Sequence, residues 1–258
     1  GVRVRGVRRA AAGAEPAGGG ILAVRGMTDV AVQQSAGARR SKGLWIWTGL
    51  ALLLIAVGLA GFDRWFYEHV SRVLNTEDRP LDHDFYSLTK PFWIVCRLVF
   101  GNVLGALGLC AAVAILRPVR WRTILVAWAI VAGVALTANV AQRAIGRLRP
   151  NRAESHLAFT QPFAELLTRP RVSFPSGEAA TAFALACVLV HLVPRGQPGF
   201  YALATLTAGA RLVNGAHYVS DVAAGALLGA LLADVLFCWL GRTRAGPRAN
   251  PTEPPGSA

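Results

Sequence analysis

Charge is the first thing this sequence is short of. Only 16% of its 258 residues are Asp, Glu, Lys or Arg, while 53% are apolar; a soluble domain carries about a quarter charged residues. The charge that remains leans one way, with 14 acids against 27 bases. Uncharged runs of about 20 residues recur, the length that crosses a bilayer's hydrocarbon core. An ordinary soluble domain is therefore excluded and a membrane protein expected. A net charge of +13 would suit a nucleic-acid binder, but residues 1–42 hold eight Arg or Lys against two acids and residues 241–258 hold three against one. Most of the excess lies in these flanks, and no basic stripe interleaved with aromatics accompanies it, so nucleic acid is not an expected partner.

Methionine occurs once, at Met27. The residues before it are rich in Gly, Ala and Arg and hold no apolar stretch long enough for the core of a signal peptide. They read as translated upstream DNA, and Met27 is the expected native start. Cysteine is also scarce. Cys96, Cys110, Cys187 and Cys238 all lie inside apolar runs. With no CxxC pair and no His-rich cluster, they are read as small core residues rather than as a disulfide or metal framework. The expected division is a basic, largely disordered segment over 1–42, a membrane domain over 43–241, and a disordered tail over 242–258 that contains four prolines.

What the sequence does have is six apolar segments: Gly43 to Phe62, Phe92 to Leu116, Thr123 to Gln142, Ser176 to Pro194, Pro198 to Leu212 and Asp221 to Gly241. The fold class expected is all-α, a bundle of six transmembrane helices. Aromatics at both ends of the first segment (Trp45, Trp47, Trp65, Phe66, Tyr67) fit interfacial belts. Arg97, near the start of the second, is read as snorkelling to the interface. The H-D-F-Y stretch of the first loop suggests a short interfacial helix. Six spans put both termini on one side, and the basic flanks and the Arg117, Arg120 and Arg122 turn make that side cytoplasmic. Three polar clusters then gather on the outer face: Gln142 to Pro150, Ser173 to Glu178, and Arg211 to Asp221. Among ionisable residues within the spans, Asp234 is read as a structural contact. The Ala, Arg and Gly content points to a GC-rich bacterium, hence its inner membrane.

These clusters carry chemistry. Arg149 and Arg211 are fixed cations whose planar forks match phosphate oxygens and do not deprotonate. Pro175-Ser176-Gly177 opens a helix whose backbone N–H groups favour an anion at the positive end of its dipole. His217 and Asp221 stand four apart, a spacing that lets the carboxylate accept from one imidazole nitrogen and leaves the other basic. Singly, these would be an interfacial anchor, an N-cap and a local hydrogen bond. In this order and on one face they form an anion cradle with a held imidazole.

At these residues the chain resembles the type 2 phosphatidic acid phosphatase superfamily, in its membrane-bound lipid phosphatase branch, which shares a core with bacterial acid phosphatases and vanadium haloperoxidases. The family pattern is Lys, six residues, Arg-Pro; then Pro-Ser-Gly-His; then Ser-Arg, five residues, His, three residues, Asp. Arg149-Pro150, Pro175-Ser176-Gly177, Arg211, His217 and Asp221 match in order and spacing, within a likeness that covers residues 45–240. The resemblance implies that His217 attacks phosphorus to give a phosphohistidine. It also implies that Asp221 orients that His, that Arg149, Arg211, Ser176 and Gly177 hold phosphoryl oxygens, and that no metal or cofactor takes part.

Three positions depart from the pattern. The family Lys is Gln142, beside which Arg143 offers a compensating charge; the Ser before Arg211 is Ala210; and the Pro-Ser-Gly His is Glu178. The family His protonates the leaving alkoxide, and Glu178 can do so only while itself protonated. A leaving group that is a phosphate needs little protonation, so a polyprenyl diphosphate suits this variant better than phosphatidic acid. Phosphatidylglycerophosphate and lipid A complete the expected lipid-phosphate substrates. The alternative from another class is a weak or inactive relative that binds anionic lipid or phosphate.

Overall fold

The computed structural model describes residues 46–72, 91–116, 120–163 and 172–244, with side chains to residue 240. The expected 1–42 segment, the H-D-F-Y stretch and the tail beyond Arg244 lie outside these residues. The described residues from Thr48 onward belong to one compact unit.

The regular structure among the described residues is helical, joined by turns and irregular loops that include two isolated bridges, Arg147 with Phe159 and Leu148 with Val172. Helix α1 runs Ile46–Ser71, longer than the hydropathy pattern suggests. The sequence reading ends it at Phe62 because Asp63 and Arg64 follow, yet Asp63 is 1% exposed and the helix continues past it. Gly61, at φ 130°, bends α1 inside a π-helical turn just before that buried acid. The second expected span is two helices, α2 (Pro91–Val99) and α3 (Val103–Leu116), meeting at 75°. Helix α4 spans Trp121–Ile145 and stops at Gly146, whose φ of 72° is a left-handed helix cap. Helix α5 spans Gly177–Leu192, with the Ser176 hydroxyl accepting from the Ala179 N–H as its N-cap. Helices α6 (Gln197–Val213) and α7 (Val219–Arg244) complete the order.

Among the described residues α1, α4 and α7 are long and apolar enough to cross a membrane, and α2 with α3 makes a fourth if the bent pair is one span. Helix α5 has 16 residues, about 24 Å of rise, less than the roughly 30 Å of hydrocarbon. It lies instead at the centre. Ala180, Ala182, Ala184, Leu185, Ala186, Val188 and Leu189 are all fully buried. Helix α7 packs on α5 through Gly225 and Gly229, where an added Cβ would overlap the carbonyl oxygens of Ser176 and Ala180. Small residues that let backbones meet are how helices associate where water supplies no driving force. Outward, large apolar side chains such as Leu104, Ile115, Leu116 and Leu136 are exposed, as a lipid-facing surface requires.

Candidate active site

The end of α4, the start of α5, the end of α6 and the start of α7 meet at one end of the bundle. There the polar clusters converge. His217 lies in the turn between α6 and α7 and is buried. Its Nδ1 is 2.9 Å from the Ser173 carbonyl. A carbonyl only accepts, so Nδ1 carries the proton and Nε2 keeps its lone pair. Nε2 has no hydrogen-bond partner among the described residues. Burial lowers the pKa of His217 below its ordinary value of 6.5; Asp221 partly offsets this, and Arg211 and Arg149 reinforce it. The imidazole is thus favoured neutral, the form a nucleophile needs.

The expected hydrogen bond from His217 to Asp221 is replaced by a looser approach, Nδ1 to Oδ2 at 3.8 Å. The Asp221 carboxylate is engaged elsewhere. Oδ1 accepts from Arg147 Nη1 at 2.7 Å, Oδ2 from the Tyr218 N–H at 2.8 Å, and the Asp221 carbonyl accepts from the Ser176 N–H at 2.9 Å. Asp221 therefore fixes the turn that bears His217 and the entry to α5, and reaches the imidazole as a nearby charge.

Sequence reasoning missed the group behind it. Arg147, 1% exposed, donates from Nη1 to Asp221 and Ser220, from Nη2 to Asp63 Oδ2 at 2.9 Å, and from Nε and Nη2 to the His156 carbonyl. Its guanidinium lies 4.3 Å from the Tyr218 ring centroid. Asp63 in turn accepts from the Ser220 N–H at 2.9 Å and from the Ser220 hydroxyl. Gly58 permits this approach, since a Cβ there would sit 2.7 Å from Asp63 Oδ1. One cation between two carboxylates ties α1 to α7; removing it would leave buried charges unpaired, at about 3–5 kcal/mol. Arg147 stands in the same R-L-R-P run as Arg149, but nothing in the spacing pairs it with an acid 84 residues away.

Glu178, at the start of α5, faces two arginines. Oε1 accepts from Arg97 Nε at 3.0 Å, and Oε2 lies 3.2 Å from Arg211 Nε. The second pair is close but poorly aligned, so Oε2 and Arg211 Nε are both buried without a hydrogen bond. Arg97 does not simply snorkel to the interface; it turns into the site from α2. Arg149 donates from Nε to the Val172 carbonyl at 3.2 Å. It lies within electrostatic reach of Glu178, Arg97 and Asp221, and burial lowers its pKa from the ordinary arginine value.

Ser176 and Gly177 stand where the sequence reading puts them, at the start of α5, and a Cβ on Gly177 would find only the Asn139 amide at 3.6 Å. Gln142 and Arg143 differ from expectation. Gln142 Nε2 donates to the carbonyls of Ser173 and Pro175, each at 3.2 Å. Both its N–H groups shape the 173–175 loop and neither is left for an anion. Through Ser173, whose carbonyl also receives His217, Gln142 positions the imidazole. Arg143 donates within its own helix, to the Asn139 carbonyl at 3.2 Å. Toward the other end of α5, Asp234 Oδ1 is 3.0 Å from His191 Nε2 and 4.0 Å from Cys187 Sγ, the polar contact expected of it. These three side chains also have the donor types of a metal-binding group.

The model of the PAP2 superfamily matches residues 122–245. The chain is 38% identical over 110 residues to the lipid A 1-phosphatase of Rhizobium johnstonii, covering 41% of this chain and 44% of that protein. It is 39% identical over 95 residues to the lipid A 1-phosphatase of Rhizobium etli, covering 36% and 40%. It is 33% identical over 132 residues to that of Porphyromonas gingivalis, covering 48% and 25%. The chain thus spans less than half the length of the curated relatives it matches. Among solved structures, the crystal structure of the first transmembrane PAP2-type phosphatidylglycerolphosphate phosphatase, from Bacillus subtilis, aligns with a TM-score of 0.51 and 21% identity, over 80% of this chain and 98% of that one. At that identity the likeness is one of fold: a helical membrane bundle, as the sequence leads one to expect.

Proposed function

We propose, from the premise that this integral membrane protein carries a PAP2 superfamily domain, that it is a phosphatase of lipid phosphates acting through a phosphohistidine. The observation that carries this reading is the His217 geometry: Nδ1 donates to a backbone carbonyl, Nε2 is left basic, and Arg149 and Arg211 are near enough to depress the imidazole pKa. In the first step Nε2 attacks phosphorus, the N–P bond forms and the P–O bond to the lipid breaks, with the electron pair leaving on that oxygen. In the second, water attacks phosphorus, the N–P bond breaks, and inorganic phosphate departs with Nε2 restored; the proton water gives up replaces, through solvent, the one taken up by the leaving oxygen. Arg149, Arg211 and the N–H groups of the α5 terminus would stabilise the charge on the equatorial oxygens. Asp221 would hold the His217 turn and compensate the charge the imidazole gains.

Glu178 bears on the substrate. In its present geometry it accepts from Arg97 rather than donating a proton. General acid catalysis is worth roughly 10²–10⁴ in rate, so lipids whose leaving group needs little protonation are favoured: a diphosphate such as polyprenyl diphosphate, or a phosphate on a sugar's anomeric carbon, before a simple alkyl monoester such as phosphatidic acid. The relatives named lipid A 1-phosphatase make lipid A one member of the panel to try. The reading also has the termini cytoplasmic and the site on the outer face of a bacterial inner membrane. The test is phosphate release by purified protein in detergent from phosphatidic acid, phosphatidylglycerophosphate, polyprenyl diphosphate and lipid A. Release is expected to vanish in His217→Ala, and Glu178→His is expected to gain most on the monoesters. Release that persists in His217→Ala overturns the mechanism, and equal relative rates across the panel overturn the leaving-group preference. A second reading, an anionic-lipid binder without turnover, draws on the Glu178–Arg211 approach. It would be supported by binding without release.

A further inference from the structure

The cation that the family pattern puts at position 142 has become Gln142, whose amide is engaged by two carbonyls. The neighbouring Arg143 bonds within α4. Gln142 carries no charge, and among the described residues the ion pairs of Glu178 are with Arg97 and Arg211, not Arg143. Arg97 restores the missing charge, from an unexpected direction. It lies on α2, outside the 122–245 region that matches the family, and its Nε is 3.0 Å from Glu178 Oε1. The other Glu178 oxygen lies 3.2 Å from Arg211 Nε. One carboxylate therefore bridges two guanidinium groups, with a third, Arg149, within electrostatic reach.

Two features mark this bridge as a seat rather than a fixed strut. Arg211 is 7% exposed, yet its Nε and the Glu178 oxygen facing it are both buried without a hydrogen bond. A buried guanidinium N–H whose ion pair is too poorly aligned for a hydrogen bond forfeits part of its stabilisation, and a phosphoryl oxygen would supply the missing bond. The Arg97 side chain, by contrast, is 58% exposed, free to follow an incoming anion. Counting Arg97, Arg149 and Arg211 against Glu178 leaves the seat two positive charges. A singly charged diester would gain little by displacing a singly charged carboxylate. A terminal phosphate, which carries a second negative charge, gains more.

We infer that Arg97 is a substrate-phosphate ligand that takes the place of the family lysine, and that Glu178 is an internal stand-in anion which a terminal phosphate displaces from Arg97 and Arg211. This rests on the phosphatase reading for its substrate, but its test does not require turnover. Orthophosphate binding is measured by titration calorimetry on full-length protein in detergent, in the nucleophile-free His217→Ala background. Adding Arg97→Gln is expected to weaken binding about tenfold, the loss of one charge-assisted hydrogen bond. Arg97→Lys is expected to recover most of that loss, and Glu178→Gln to tighten binding by removing the competing carboxylate. A dialkyl phosphate is expected to bind far more weakly than orthophosphate in every variant.

Binding unchanged by Arg97→Gln overturns the inference, as does equal loss in the Gln and Lys variants, which would mark a merely structural role. Weaker binding in Glu178→Gln would likewise overturn the stand-in. Because each arm reads binding, failure of wild-type protein to release phosphate from any lipid would count against the phosphatase reading alone.

Discussion

His217 shows at the scale of one residue what burial does to chemistry. Its pKa is lowered from 6.5, first by desolvation, so in the folded protein the neutral imidazole persists as pH falls through 6.5. The imidazole titration of His217 in the ligand-free protein is therefore expected to have its midpoint below pH 6.5, measured by NMR; a midpoint at or above 6.5 would contradict a buried nucleophile. Stability follows the same sign. The unfolded chain takes up the proton first, so stability declines as pH drops from 6.5 toward the lower folded value. The residues of this site were unevenly legible. Arg149, Ser176, Arg211, His217 and Asp221 could be read because fixed local spacing brings them to helix ends. Asp63, Arg97 and Arg147 could not, because each finds its partner across more than seventy residues of chain. Even the orienting partner of His217 escaped, since a backbone carbonyl such as that of Ser173 has no letter in the sequence.

Between elements, the closest fit is that of α7 on α5. Gly225 and Gly229 stand one turn apart on α7, each against a carbonyl of α5. The first of those carbonyls belongs to Ser176, so this contact also sets where the α5 N-terminus points. Gly225→Leu is expected to force the helices apart, costing about 1–3 kcal/mol as overpacking does, and to lower turnover more than Gly229→Leu. Thermal denaturation and phosphate release on the two variants would check this; equal activities would detach the α5 terminus from the chemistry. Helix existence was well signalled by apolar runs, whereas boundaries were not. Helix α1 passes through Asp63 because that acid is paired inside, and the second span breaks at residues 100–102, where hydropathy alone reads one continuous run.

For the molecule as a whole, the basic flanks predict sidedness. A fluorescent protein fused after residue 244 is expected to fold and glow, and an alkaline phosphatase reporter at the same point to stay silent; the reverse pattern would put the site on the cytoplasmic face. The Asp63–Arg147–Asp221 triad has a consequence of a different order. The stretch that carries the family's signature begins at residue 122, yet one carboxylate of the triad belongs to α1. Cut out on its own, that stretch would keep Arg147 and Asp221 but lose the acid that completes their charge balance, together with the helix that shields them. The signature region is therefore not a portable cassette. Any chimera that borrows it must also bring a first helix with an acid at the depth of Asp63 and a glycine one turn earlier to make room for it.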